Sequence, residues 1–405
     1  MSDEPVIIVG GGQAAMQAAD SLRREGWTGP VMLISDEAAY PYQRPPLSKQ
    51  YLAGKLGGDR LLFRPVEFYA EHDIQVLLRT RVTAIDREAR SVVTGDGQRH
   101  RYAKLVLATG SRVRQLPLPG ADLAGVHYVR SIADADGIAA AMAAARRVVI
   151  IGGGFIGLEV AAVMRGAELP VTVVELEDRL MARAVPPVLS EYYRELHQSR
   201  GVEILTGAGV AALSGDERVE TVRLADGREL AADLVVVGIG IVPNIELARE
   251  AGLHIDNGIA VDALARTSDP DILAAGECTS FDSPLYGTRL RLESVQNAVD
   301  QARTVAATVT GQEKPYEAVP WFWSDQYDLK LQMVGLSGGH DAMVTRGDMA
   351  EGKFSLFYYR DGRLLAVDSV NRPADHMLGR KLLGARISPD PAAAADPGFD
   401  LKSLL

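Results

Sequence analysis

One short pattern occurs twice in this chain and constrains its fold more than any other. Val6-Ile7-Ile8-Val9 runs into Gly10-Gly11-Gly12 and then a helix-forming stretch from Gln13 to Glu25. Val148-Val149-Ile150-Ile151 runs into Gly152-Gly153-Gly154 and then a stretch from Phe155 to Gly166. A second β-branched run follows each, Val31–Ser35 and Val171–Glu175. Short Val/Ile runs fit buried strands, and the intervening stretches have the amphipathic period of a helix. Each copy therefore predicts a βαβ unit, and two such units impose parallel sheets and an α/β fold.

The glycines have a chemical reading as well. Gly10-Gly11-Gly12-Gln13-Ala14-Ala15 fits G-x-G-x-x-A, and Gly152-Gly153-Gly154-Phe155-Ile156-Gly157 fits G-x-G-x-x-G. In such a turn the first glycine makes the sharp bend and the second lets backbone approach a pyrophosphate. The third small residue lets helix pack on strand. The helix N-terminus then offers N–H groups and a positive dipole end to the phosphates. A single such turn is weak evidence, because a plain glycine-rich strand-to-helix corner has the same residues. Here each has an acid after the next strand, Asp36 and Glu175, about 20 residues on, where ribose hydroxyls are bound. A carboxylate there repels a 2′-phosphate, so Glu175 favours NADH over NADPH; the nearest arginine is Arg179. Two dinucleotide sites suggest one tightly held cofactor and one exchanging substrate, and these residues leave open which is which.

Three further strand-to-turn pieces occur: Leu105 to Gly110, Leu234 to Gly240 and Ile272 to Glu277. From Trp321 onward the character changes, with strand-like pieces Leu331–Val334, Phe354–Tyr359 and Leu364–Val367, which predicts a separate C-terminal α/β domain. Pro389 to Gly398 is rich in Pro, Ala and Asp and reads as a loose tail. The 405 residues suit two or three domains. A net charge of −10 argues against nucleic acid or an anionic membrane as a global partner. The acidic start, Ser2-Asp3-Glu4, is unlike a secretory signal, and no apolar run is long enough to span a bilayer. With Cys278 as the single cysteine, these features lead us to expect a cytoplasmic protein. The seven histidines show no metal-ligand spacing, so no metal site is expected.

With these motifs in place, the chain resembles the glutathione-reductase-like flavoproteins. More closely, it resembles the NADH-dependent ferredoxin reductases of bacterial haem monooxygenase and ring-hydroxylating dioxygenase systems. The specific pieces are Tyr42-Gln43-Arg44-Pro45-Pro46-Leu47-Ser48-Lys49, Leu107-Ala108-Thr109-Gly110, Gly152 to Glu159, Glu293-Ser294-Val295-Gln296-Asn297-Ala298 and Pro320-Trp321-Phe322-Trp323-Ser324-Asp325-Gln326. The resemblance implies an FAD-binding domain over residues 1–111 and 240–319, an NAD-binding domain over 112–239 and a C-terminal domain over 320–405. It assigns FAD to the first glycine turn and NADH to the second.

On matching positions the resemblance places Gly10, Gly12, Ala14, Ala15, Asp36, Arg44, Lys49, Val82, Thr109, Gly110, Arg112, Arg130, Glu277, Val295 and Trp323 at FAD. Gly152, Gly154, Phe155, Ile156, Gly157, Glu159, Glu175 and Gly240 are placed at NADH. The family usually has Gly-Asp-Cys where this chain has Gly276-Glu277-Cys278, one methylene longer.

Hydride transfer needs two rings in register and water excluded. Lys49 and Glu159 are expected beside the reacting ring as an ion pair; the plain alternative is a helix-capping lysine and a surface glutamate. Phe155 either covers the flavin or packs helix against strand. A lone Cys278 excludes a dithiol relay, so electrons must leave for an external one-electron carrier; the resemblance implies a [2Fe–2S] ferredoxin serving a cytochrome P-450-type oxygenase. Trp323 is expected to border the flavin and the acceptor surface. Arg64, Arg303, Arg372, Arg380 and Lys381 are candidate cations for docking an acidic ferredoxin, and a monomer is expected. The alternatives are another acceptor (rubredoxin, a dioxygenase ferredoxin, monodehydroascorbate or oxygen) or a redox-sensing interaction protein.

Overall fold

The computed structural model describes residues 4–405. Their contacts divide into two units. The first comprises residues 4–43, 59–112 and 243–322, and the second 44–58, 113–242 and 323–405.

The first unit is built on a five-stranded sheet in the order Ile272–Ala274, Lys104–Leu107, Val6–Val9, Val31–Ile34, Ile74–Leu77, with every pairing parallel. All four residues of Val6–Val9 are buried, as a central parallel strand covered on both faces requires. The helices Gln13–Arg24 and Val295–Val309 share one core with one face of this sheet. The register sets Val9 beside both Ile34 and Leu107, so the three strands end level and their loops share one rim. In open α/β sheets, ligands bind at that rim.

The second unit repeats the plan in the order Val202–Leu205, Val171–Val174, Val148–Ile151, Leu234–Val237, Val126–Tyr128. Ile151 lies beside both Val174 and Val237. The same unit holds, from Trp323 onward, a second five-stranded sheet, in the order Trp321–Gln326, Leu329–Gly335, Arg363–Val370, Lys353–Arg360, Ala342–Asp348. One hydrophobic core runs through both sheets, joining Val148, Leu158 and Tyr193 to Leu331, Phe354 and Tyr358.

The expectation of a loose tail is corrected here. Pro391–Ala395 is helical, capped by the Asp390 carboxylate, which accepts from the Ala392 and Ala393 amides. Ala394 and Leu401 are buried. The buried Arg346 guanidinium donates to the carbonyls of Ala394, Asp396, Pro397 and Phe399. A buried cation needs acceptors, and this segment supplies them; local composition carries no sign of that long-range demand. No helix among the described residues is long and apolar enough to cross a membrane.

Candidate active site

Both glycine turns are held at the strand rim by close backbone approach. Gly10 has φ +138, and a Cβ there would lie 2.1 Å from the Ala108 carbonyl oxygen. Gly152 has φ +108, and its Cβ would lie 2.4 Å from the Gly238 oxygen. Gly157 packs the helix down, since a Cβ there would lie 2.1 Å from the Gly152 oxygen. Ala15 holds the matching place in the first unit, fully buried, with Ala14 beside it. Gly12 and Gly154 are the N-caps of their helices, and neither helix has a side-chain cap. The first-turn N–H groups are thus left for an external anion.

The two acids differ. Glu175 folds back on its own turn, its carboxylate accepting from the Gly153 amide at 2.6 Å and the Glu177 amide at 2.8 Å. Ser35 stands in the corresponding place of the first unit, its Oγ 2.3 Å from where a Gly11 Cβ would be. Asp36 is one residue further on and exposed, paired with Arg81 at 2.8 Å. Val82 follows at the start of the strand Val82–Asp86.

Lys49 and Glu159 are brought together. Lys49 ends the 3-10 turn Pro45–Ser48, and its Nζ lies 2.6 Å from Glu159 Oε2. Glu159 sits on the first turns of the helix Phe155–Gly166, and its side chain is 1% exposed, so it is no surface charge. Ser48 Oγ donates to Glu159 Oε2 at 2.5 Å and Ser324 Oγ to Oε1 at 2.6 Å. Burial pushes the Glu159 carboxyl above its usual range, while Lys49 and the two hydroxyls pull it back down. Ser48 and Ser324 were not singled out from sequence, where a serine beside a motif carries no distinctive signal.

The strand end at Thr109 is locked by Asn244, another residue that sequence reading missed. Thr109 Oγ1 donates to the Asn244 carbonyl at 2.7 Å, and the Asn244 amide returns a bond to the Thr109 carbonyl at 2.9 Å. Gly110, with φ +62, accepts from the Asn244 backbone amide. Arg112 reaches Asn244 Oδ1 and Glu246. Arg44 donates to the Arg130 carbonyl at 2.9 Å, and the Arg130 amide to Asp134 at 3.1 Å. Gly240, with φ +103, accepts from the Arg114 amide. Glu277 is half-buried after Gly276, whose φ is +93. Val295 opens its helix behind the Ser294 cap. Phe155 is half-buried against the shared core of the second unit, and Ile156 beside it is exposed. Trp323 is half-buried on its strand. Cys278 is fully buried, and burial pushes its thiol above the usual range.

Of the candidate docking cations, Arg64 is paired with Asp20, Arg303 with Asp300 and Arg372 with the buried Asp375. Arg380 and Lys381 stand on the helix Pro373–Gly384, Lys381 exposed.

The family described as pyridine nucleotide-disulphide oxidoreductase matches residues 4–302, and the domain described as reductase C-terminal matches residues 321–405. Rhodocoxin reductase of Rhodococcus erythropolis is 48% identical over 398 residues, 98% of this chain and 93% of that protein. The ferredoxin reductase for the CYP199A2 system of Rhodopseudomonas palustris has a solved structure 47% identical, with a TM-score of 0.96 and 99% of each chain covered. The covalent putidaredoxin reductase–putidaredoxin complex matches with a TM-score of 0.97 at 42% identity, covering 100% of this chain and 98% of that one.

FAD and NAD(H) are the two dinucleotides that this family implies, and the residues present fit them. Each unit has an uncapped helix N-terminus behind a glycine turn, and a Cβ at Gly154 would meet nothing within 4 Å, leaving room for a pyrophosphate. By fold, motif and full-length likeness, the chain belongs to the pyridine nucleotide-disulphide oxidoreductases, among the ferredoxin reductases that carry the reductase C-terminal domain.

Proposed function

We propose that this chain takes hydride from NADH onto FAD and passes the electrons singly to a [2Fe–2S] ferredoxin that serves an oxygenase, foremost a cytochrome P-450-type haem monooxygenase. The observation that carries this reading is the pair of uncapped glycine turns in a chain with one, fully buried cysteine. Two dinucleotides can be held, and no internal dithiol can receive the electrons. When bound, the flavin accepts a hydride and releases its two electrons one at a time.

On this reading residues 1–111 and 240–319 form the FAD domain, 112–239 the NAD domain and 320–405 the C-terminal domain. The turn at Gly10, with Asp36, Val82, Arg130, Glu277 and Val295, serves FAD. The turn at Gly152, with Glu175 and Gly240, serves NADH. Lys49 and Glu159 set the charge beside the reacting ring, and Trp323 borders it. A monomer working in the cytoplasm fits the same reading.

Anaerobic mixing with each nicotinamide, then with carriers, tests it. NADH should bleach the flavin with a kcat/KM about 100-fold above NADPH, because a 2′-phosphate would meet the Glu175 carboxylate, and like charges in contact cost several kcal/mol. Glu175→Ala should narrow that gap. Cytochrome c reduction should require a [2Fe–2S] ferredoxin. It should weaken as salt rises, while reduction of a small uncharged dye does not. Turnover with rubredoxin alone, or a ferredoxin rate indifferent to salt, would count against the proposed acceptor.

A further inference from the structure

A line of hydrogen bonds leaves Glu159 on the side away from Lys49 and runs to the edge of the second unit. Ser324 Oγ donates to Glu159 Oε1 at 2.6 Å, and Gln326 Nε2 donates to Ser324 Oγ at 3.2 Å. Gln326 Oε1 lies 2.8 Å from His197 Nε2, and the Tyr327 hydroxyl lies 3.1 Å from His197 Nδ1. Ser324, Gln326 and His197 are all fully buried. An amide oxygen only accepts, so His197 must carry its proton on Nε2, and Nδ1 must then accept from Tyr327. Every donor along the line points toward Glu159.

Tyr327 breaks a local rule to be there. It occupies the two-residue turn between the strands Trp321–Gln326 and Leu329–Gly335 with φ +55, a conformation that Gly or Asn adopts far more readily. A bulky residue held in that region points to a role that offsets the local cost. The only polar atom this side chain adds is the hydroxyl that meets His197.

We propose that Ser324, Gln326, His197 and Tyr327 are positioning residues, a one-way chain of donors that keeps the Glu159 carboxylate ionised and oriented. This deepens the reading above, in which Glu159 serves the reacting ring. Polarised chains act cooperatively in a low-dielectric interior. Burial lowers the His197 pKa to about 4 and raises that of Tyr327 to about 12, so both stay neutral across the working range. The other titratable groups facing the chain are Lys49 at Glu159, and Tyr193, which lies in the field of Glu159, Asp325 and Asp368. Arg165 and Arg200 face Tyr327, and Arg200 is held by Asp328. None of these contributes a hydrogen bond to the line between Ser324 and Tyr327.

Tyr327 is the outer end of the line. Its hydroxyl, donating to Nδ1, strengthens the Nε2–H bond to Gln326 and, through Gln326 and Ser324, the bond to Glu159. Without that hydroxyl Nδ1 loses its donor, Nε2 keeps its proton for the Gln326 oxygen, and each donor along the line weakens.

The test uses the whole FAD-loaded protein. The His197 tautomer is read by imidazole ¹⁵N NMR, and Glu159 protonation by the carboxylic C=O infrared band that Glu159→Gln removes. Tyr327→Phe, which keeps the ring, should leave His197 in the Nε2–H tautomer and shift its Nδ1 resonance, because that nitrogen loses its donor. It should also raise the Glu159 titration midpoint by about one pH unit, a tenfold change in ionisation constant. Ser324→Ala should raise it at least as far, and the double variant should add nothing beyond Ser324→Ala. An unchanged Nδ1 resonance and midpoint in Tyr327→Phe, or full additivity in the double variant, would overturn the proposal. NADH-dependent bleaching in Glu159→Gln is read separately. If it is unchanged, the placement of Glu159 at the ring fails while the chain stands.

Discussion

Lys49→Ala is expected to lose both stability and rate. It leaves Glu159, 1% exposed, with two serine hydroxyls and no cation. Removing one partner of a buried ion pair costs about 3–5 kcal/mol. The loss should also depend on pH. Burial already holds the Glu159 carboxyl above its unfolded value, and without Lys49 that value rises further. A carboxyl whose folded pKa is raised retains its stabilising contribution below the unfolded value and loses it as pH rises through the folded one. The variant should therefore melt nearer to the parent at about pH 5 than at about pH 8. On the proposed placement of Lys49 beside the ring, anaerobic reduction by NADH should slow by roughly 100- to 1000-fold, the usual cost of deleting one preorganised donor at a reacting centre. Lys49→Met with Glu159→Leu should recover the stability but not the rate, because a matched apolar pair removes the orphaned charge. Parent-like melting and kinetics in Lys49→Ala would mean that the pair serves neither role.

Truncation after Asp390 is the second large effect. It deletes the carbonyls of Ala394, Asp396, Pro397 and Phe399 and strands the Arg346 guanidinium, whose side chain is 7% exposed. Asp375 cannot replace them: its Oδ1 is 3.6 Å from Arg346 Nε, and its Oδ2 is engaged by Arg372 and Ser355. The C-terminal sheet should lose about 3 kcal/mol, as expected when a buried charge keeps its ion pair with Asp375 but loses its hydrogen-bond acceptors. Limited proteolysis should then cut first between Trp321 and Asp390. Adding Arg346→Leu to the truncated chain should restore part of the protection. If a loose tail were the right description, the truncated chain would resist protease as well as the parent.

The parts legible in sequence are the parts with local causes. Val6–Val9 and Val148–Ile151 are strands because β-branched runs buried on both faces have no better conformation, and the glycines after them are there because a Cβ would strike backbone 2.1–2.4 Å away. In the C-terminal sheet the pieces Leu331–Val334, Phe354–Tyr359 and Leu364–Val367 were visible, but the observed strands extend beyond each. The strand Ala342–Asp348 was missed because its Met, Arg and Gly break the apolar pattern.

The two acids illustrate the limit. Both lie where a sequence pattern puts them, yet Glu175 caps its own turn while Asp36 is carried one residue past the equivalent place, which Ser35 takes. Asn244, Ser48 and His197 carry no motif at all. Each matters because a partner distant in the chain lacks a donor or an acceptor: Thr109 for Asn244, Glu159 for Ser48, Gln326 for His197.

By itself, then, the sequence determined two βαβ units, two tight glycine turns at their strand ends and the absence of any cysteine pair, since each follows from neighbours in the chain or from composition. Only the tertiary structure decided that Glu159 is a buried charge, that a tyrosine in a glycine-like turn completes its line of donors, and that the last residues clamp Arg346. A buried polar group is satisfied by whatever the fold brings within about 3 Å of it, and that is not written in the residues beside it.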